Sequence, residues 1–276
     1  MSRCTPLLFL LLPVAAGASW ERHTGLHWHD NATNADARGE VLPAAQTLVG
    51  LHYNRLAAAT SPHRWRAGFH VQAEVWPRYD GLDQLHLGGE AEWTYKFGLG
   101  PYRPVLGAGL AAGFTSARES ARSGPEGRMW LLAEQRLAAH WRARLQHEIS
   151  RHDARQLAFD RTAHESALTL HHAWRDRWSV ELEVRHRHGD VVSYLPASHP
   201  ALVDKSQTPF KVATFDRAEK LVAYYFDAVT RSGRVGLVHR FSSATRLALG
   251  WEHRLTRQGV VPYRNRIVSL EIRHAR

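Results

Sequence analysis

A chain of 276 residues with 36 Lys and Arg against 26 Asp and Glu carries a formal net charge of +10, and it holds a single cysteine. One thiol excludes a disulfide-stapled scaffold. The basic residues stand singly among apolar ones rather than in a tail or a run, which is a poor arrangement for binding nucleic acid.

The first residues set Arg3 before an apolar run from Leu7 to Ala16, followed by Ala16-Gly17-Ala18. That layout predicts a cleavable secretory signal over 1–18. The run is too short for a membrane-spanning helix, which needs about twenty apolar residues, and no later segment comes close. Cleavage after Ala18 removes Cys4 and Arg3, so the exported domain over 19–276 has no thiol and a charge of 10 − 1 = +9.

Trp20 to Asp30 reads as a first strand with His23, His27 and His29 on one parity, and 31–45 as a polar loop. Gln46 to Leu56 alternates, and 58–62 turns the chain into its clearest hairpin. There Trp65, Ala67, Phe69, Val71, Ala73 and Val75 take one face, while Arg64, Arg66, Gly68, His70, Gln72 and Glu74 take the other. Side chains of a strand switch faces at every residue, so one side of this ribbon is apolar and the other charged. Pro77 to Gly81 carries turn chemistry. Leu85, Leu87, Ala91, Trp93, Tyr95 and Phe97 then resume the pattern against Glu90, Glu92 and Lys96. Each limb is about fourteen residues, against a usual globular strand of five or six and a membrane strand of roughly nine to eleven plus rims.

A turn at 98–101 leads to Leu106, Ala108, Leu110, Ala112 and Phe114, opposite a bare face of Gly107, Gly109, Ala111 and Gly113. After a loop at 116–127, strands from Arg128 to Leu137 and from Trp141 to Ser150 join over 138–140. Strands near 161–173 and 178–189 follow a loop at 152–160 and meet tightly at 174–177. The segment 190–227 breaks the rhythm and reads as the longest loop, expected to fold inward against the glycine face. Val235 to Phe241, Leu247 to Leu255 and Val268 to Ile272 complete the series, with a turn at 242–244.

Connections therefore alternate short and long, and Trp65, Trp93, Tyr95, Trp141, Trp178 and Phe241 all stand beside the short ones. Short periplasmic turns, long outer loops and an aromatic rim are the signs of an all-β, antiparallel transmembrane β-barrel. Twelve strands are expected, or fourteen if TPFKVATF and LVAYYFDA add a hairpin. The alternative for alternating strands of this kind is a soluble sandwich. Strand length, the rim and the export signal favour the barrel and place it in the cell outer membrane.

The segments HDNATNA (29–35), YDGLDQLHLGGEAEW (79–93), AYYFDAVT (223–230) and PYRNRIVSLEI (262–272) resemble an uncharacterised family of proteobacterial outer-membrane β-barrels. The opening Asp30-Asn31-x-x-Asn34-Ala35 is similar to the barrel part of surface lipoprotein assembly modifiers. This resemblance implies a fold and a compartment, with no reaction. Barrels of this kind usually finish on an aromatic residue, whereas this chain ends Ile272-Arg273-His274-Ala275-Arg276, so the last four residues read as an extension or as a weak insertion signal.

Candidate chemistry is sparse. His164-Glu165-Ser166 puts a base and a hydroxyl on one face of a strand and resembles the His-x-Ser of outer-membrane phospholipases and lipid A deacylases, but Ala167-Leu168 follow where those enzymes carry Asn. His23, His27 and His29 offer alternate imidazoles to a metal, although the chain's 19 histidines make chance clustering the simpler reading. No cofactor is expected.

The charged wall is more informative. Its inward basic residues include Arg64, Arg66, Lys96, Arg142, Arg144, Arg185, Arg187, Arg246 and Arg254. Its inward acids include Glu74, Glu90, Glu92, Glu148, Glu181, Glu183 and Glu252. Across the whole chain the same parity gives fourteen cations against ten acids. Either these groups cross-brace a filled lumen or they line a narrow aqueous pore that favours anions. The expected function is a small-solute channel with anion bias. An outer-leaflet lipid or lipopolysaccharide hydrolase and a non-conducting assembly barrel are the alternatives. The expected partners are outer-membrane lipids, lipopolysaccharide, the barrel assembly machinery and small anionic solutes.

Overall fold

The structure is a computed structural model that describes residues 18–35, 40–56, 62–196, 210–211, 221–258 and 261–276. Of the expected signal segment over 1–18, all but Ala18 lies outside them. Thirteen strands form one antiparallel sheet: β1 (Ala18–His29), β2 (Ala44–Leu56), β3 (His63–Val75), β4 (Gln84–Lys96), β5 (Val105–Ala117), β6 (Gly124–Arg136), β7 (Trp141–His152), β8 (Arg161–Arg175), β9 (Trp178–Pro196), β10 (Phe210–Lys211), β11 (Leu221–Arg240), β12 (Thr245–Gln258) and β13 (Val261–Ala275).

The sheet closes on itself. β13 pairs with β1, and β11 pairs with both β12 and β9, so β1 to β9 with β11 to β13 make a closed twelve-stranded barrel. The two-residue β10 lies along the far end of β11. Among the described residues there is no further hairpin that would give fourteen strands.

The faces are those of a membrane barrel. On β13, Ser269 and Glu271 are 6% exposed, while Leu270 and Ile272 between and beside them are 44% and 48% exposed. A soluble sandwich buries the second set and wets the first. The same inversion runs through β3, β4 and β6, where Trp65, Leu87 and Leu131 are exposed. Apolar side chains outside and polar ones inside suit a barrel standing in lipid.

Both described termini and the four described short turns lie at one end, as do the strand ends Leu56 and His63 that flank the fifth. There Trp20 and Arg276 exchange two backbone hydrogen bonds, of 3.1 and 2.8 Å. Ala275 is therefore the last residue of a paired strand, and Arg273 to Ala275 are no extension beyond the barrel. Around this rim Trp65 meets Trp93, Tyr95 meets Phe97, Trp141 stacks on His172, and Trp178 lies between Trp174 and His239. The long connections share the opposite end, and by the usual topology of such barrels that end faces outward from the cell.

Two expectations need correction. The 190–227 region is not one loop: β9 continues to Pro196 and β11 begins at Leu221, paired from Leu221↔Pro196 to His239↔Trp178. Mixed composition hid this pairing, because both faces carry polar residues once the strands rise beyond the apolar band. The rest of that segment, apart from β10, lies outside the described residues. Similarly, the loops read at 116–127 and 152–160 shrink to 118–123 and 153–160, since β5, β6 and β7 run on into sequence with no apolar alternation.

Candidate functional site: the barrel interior

Three outer loops cap the interior with one repeated design. Each makes a single 3-10 turn, over Asp80–Leu82, Ser120–Arg122 and Leu157–Phe159. In each, a side chain just past the turn accepts the backbone N–H that enters the loop: Trp76 to Asp83 at 2.7 Å, Ala117 to Ser123 at 2.9 Å, Ala154 to Asp160 at 2.7 Å. Asp and Ser hold turns in this way because a short acceptor reaches a nearby N–H.

The loops overlap like tiles. Arg118 N–H donates to Asp83 O, Arg155 N–H to Ser123 O, and the Arg122 guanidinium to Gly81 O. Their apolar residues Tyr79, Leu82, Ala121 and Phe159 pack with Tyr194, Leu221 and Ala223 of the extended β9–β11 pair. The 30–35 turn joins this cap: Thr33 is fully buried, Asn34 Nδ2 donates to Val192 O, and Asn31 Nδ2 donates to Ala35 O and Arg264 O. The 31–45 segment reads as a polar loop, yet its described polar side chains Asn31, Thr33 and Asn34 are internal staples.

Beneath the cap is a cavity of about 560 Å³. Arg122, Arg161, Arg185, Arg187 and Arg254 face Glu74, Glu165, Asp190 and Glu252 across it. Glu252 takes the Arg254 guanidinium at 2.5 Å, and Arg185 bridges Glu165 and Glu183 at 3.3 and 2.5 Å. His86 lies between Glu74 and Glu126, at 3.4 and 3.7 Å, with Thr115 Oγ1 2.9 Å from its Nδ1.

The middle of the interior is braced. Arg66 reaches Glu90 and Glu92 at 3.7 and 3.4 Å, and Trp130 Nε1 donates to Glu92 at 3.1 Å. The Gln146 amide donates to Glu148 and accepts from Arg144. Glu271 gathers Arg234, Arg273, His23 and His27. Glu21 holds Arg246 and Arg273. On the bare stripe of β5 the Trp130 indole fills the space over Gly109, and most of the 190–227 segment expected there lies outside the described residues.

At the short-turn end a second cavity, of about 450 Å³, has different walls. Arg64, Lys96, Arg103, Arg136, Arg142 and Arg240 line it, with His140 and His171. Its one acid is Glu134, 3.6 Å from Arg142.

The proposed metal ligands do not converge on a common point. His23 and His27 each set Nε2 3.4 Å from Glu271, while His29 turns to Gln46 at 3.2 Å. Among the described residues no group of three suitable ligands stands together. The His164/Ser166 pairing also needs correction. Both lie on the lipid-facing side, and Ser166 Oγ is 2.9 Å from Nδ1 of His147 on β7, the residue that faces it across the ladder. The His164 ring lies 6.3 Å from the His147 ring, and among the described residues no carboxylate or amide orients either.

The structure sets Glu181, an inward position by parity, beside Gly236 and His171. Parity missed residues outside clean alternation: Glu126 near the start of β6, Arg103 in a turn, Arg161 at a strand start, and Glu21 on a strand read for its histidines. Trp130 shares the inward parity of Arg128 and Glu134, a signal masked by its apolar side chain.

Closed topology, an apolar exterior, a polar interior and an aromatic rim define an outer-membrane β-barrel protein. No family model matches the chain, and neither does any curated protein. Among solved structures, an outer-membrane channel from Pseudomonas putida F1 superposes with a TM-score of 0.66 at 12% identity, over 99% of this chain and 100% of that one. The NanC porin superposes with a TM-score of 0.51 at 8% identity, over 92% and 98%. At these identities the likeness is one of fold.

Proposed function

We propose that the barrel is a narrow channel for small solutes with a preference for anions. The short-turn vestibule carries this reading: six Arg or Lys side chains face one Glu, a local charge of 6 − 1 = +5. A confined, low-dielectric wall of one sign focuses its field and concentrates counter-ions. The upper cavity is nearly balanced, five cations to four acids, so selectivity belongs to the periplasmic mouth. The pore-lining set is Arg64, Lys96, Arg142, Arg185, Arg187 and Arg254 with Glu74 and Glu252, and the paired Arg66, Glu90, Glu92, Arg246 and Glu183 brace the wall. The two superposed barrels described as a channel and a porin share this architecture, which supports the reading.

The test is a planar-bilayer recording in a salt gradient. A reversal potential favouring anions fits the proposal. Cation preference contradicts it, and no conductance at all favours the non-conducting assembly barrel to which the 30–35 sequence is similar. The Ser166–His147 hydrogen bond is the observation behind a second reading, hydrolysis of outer-leaflet lipid. Loss of an esterase activity in Ser166→Ala, with the barrel still folded, would establish it.

A further inference from the structure

We propose that the lipid-facing wall over β9, β11, β12 and β13, at the loop end, binds a phosphorylated lipid headgroup of the outer leaflet. Arg231, Arg257, Arg264 and Arg266 are exposed and occupy the outward parity of their strands. They are contiguous in the ladder. Arg231 pairs with His186 on β9 and with Leu255 on β12, Leu255 pairs with Arg264, and His253 pairs with Arg266. Arg231 and Arg264 are thus one strand apart, roughly 10 Å by ladder spacing.

Among the described residues none of these four arginines has a carboxylate within ion-pair distance. The acids nearby are engaged: Asp227 stands 3.4 Å from His188, and Asp30 accepts the Arg266 backbone N–H at 2.6 Å. Elsewhere the rim is different. Leu85, Phe114, Met129 and Ile149 hold the outward positions of β4 to β7. In that sector Arg118 pairs with Asp80 at 2.9 Å and Arg151 with Asp153 at 2.7 Å. Arg78 and Arg155 stand in the loops above the strands, so among the described residues the lipid-facing strand arginines at the loop end without a carboxylate partner are those of β11 to β13.

Their height is that of the headgroups. Arg231 is ten residues above Phe241 on the aromatic rim, and Arg266 ten above Arg276. With a strand rise near 3.3 Å and a tilt near 40°, ten residues climb roughly 25 Å, the height of the apolar band. An arginine is costly at the bilayer midplane and nearly free near the interface. These positions are tolerable for that reason, and an anion on the lipid side offsets what remains. Guanidinium groups match phosphate as two parallel N–H donors. Arginines spread over three strands fit a headgroup with more than one phosphate better than a single free ion.

The experiment titrates the folded full-length barrel in uncharged detergent with bisphosphorylated lipid A and with its dephosphorylated form, read by native mass spectrometry. The expected result is tight binding of the phosphorylated lipid only. Combining Arg231→Gln, Arg264→Gln and Arg266→Gln should weaken it about tenfold or more, as loss of charge-assisted hydrogen bonds implies. Arg22→Gln and Arg55→Gln, on the lipid face near the short-turn end, should leave it unchanged. If the triple variant fails to fold, Arg264→Gln alone should still weaken binding about threefold. Equal binding of both lipids, equal loss in the Arg22 and Arg55 variants, or displacement by millimolar inorganic phosphate would overturn the proposal.

Discussion

Trp130 lies against Gly109, so that a Cβ at Gly109 would overlap the indole ring. The ring cannot easily withdraw. Its Nε1 is bonded to Glu92, the Arg128 guanidinium sits over its face at 6.0 Å, and it packs with Ala111 and Leu132. Glycine is thus the complement of a large side chain on the neighbouring strand, as expected where another group approaches the backbone closely. Gly109→Ala should destabilise the barrel by about 1–3 kcal/mol, the range for overpacking. Adding Trp130→Ala should recover much of that loss and widen the lumen. Unfolding midpoints and single-channel conductance check both parts.

The tiled loops should fail one at a time. Asp160→Ala removes the acceptor of the Ala154 N–H and should cost about 0.5–2 kcal/mol locally, by analogy with lost helix caps. Asp83→Ala should do the same to Trp76. Hydrogen exchange is the direct measurement: protection of Ala154 should fall in the first variant and of Trp76 in the second, with the mid-barrel ladder unaffected. Loss of protection throughout would mean that the cap is no separate unit.

The barrel was legible because one physical rule wrote most of it. Where a strand stands between lipid and a polar interior, strict alternation follows, and Trp65-to-Val75 against Arg64-to-Glu74 states it outright. The extensions of β9 and β11 were illegible for the same reason. Above the apolar band both sides are wet or capped: Val192 packs with the loop residues Tyr79, Leu82 and Phe159, Val191 with Tyr224 and Phe226 on the other face, and the period vanishes. The basic vestibule could be half read, since Arg64, Arg136 and Arg142 fall on the inward parity, whereas Arg103 depends on how a turn folds back. The cap could not be read at all. Asn31, Thr33 and Asp160 look like ordinary loop residues until their backbone partners are known.

Glu271 holds four partners in the interior, Arg234 at 3.4 Å, Arg273 at 3.1 Å and both His23 and His27 at 3.4 Å. It also ties the closing seam, because His23 and His27 belong to β1 and Glu271 to β13. Glu271→Gln keeps the shape and removes the charge, leaving two guanidinium groups facing each other. Breaking a buried pair in this way typically costs about 3–5 kcal/mol. Slower folding and a lower unfolding midpoint are expected, with His23→Gln much milder. Equal stability of Glu271→Gln and the parent would show that the seam rests on its backbone ladder alone.

Arg136 and Arg142 pair directly across the β6–β7 ladder at the short-turn end, and their side chains share the lower vestibule. Replacing both by Glu changes the vestibule from six cations and one acid to four cations and three acids, from +5 to +1. If this mouth sets selectivity, the reversal potential in a salt gradient should move most of the way toward the non-selective value. The shift should shrink as ionic strength rises, because the screening length falls from about 10 Å at 0.1 M to about 3 Å at 1 M. Reversing Arg185 and Arg254 in the upper cavity should act differently. Each is bound to a carboxylate, Glu183 and Glu252, so reversal there sets acids against acids and lowers stability more than it changes permeation. An upper-cavity pair that controlled the reversal potential while the vestibule pair left it unchanged would place the filter beneath the loop cap and overturn the assignment.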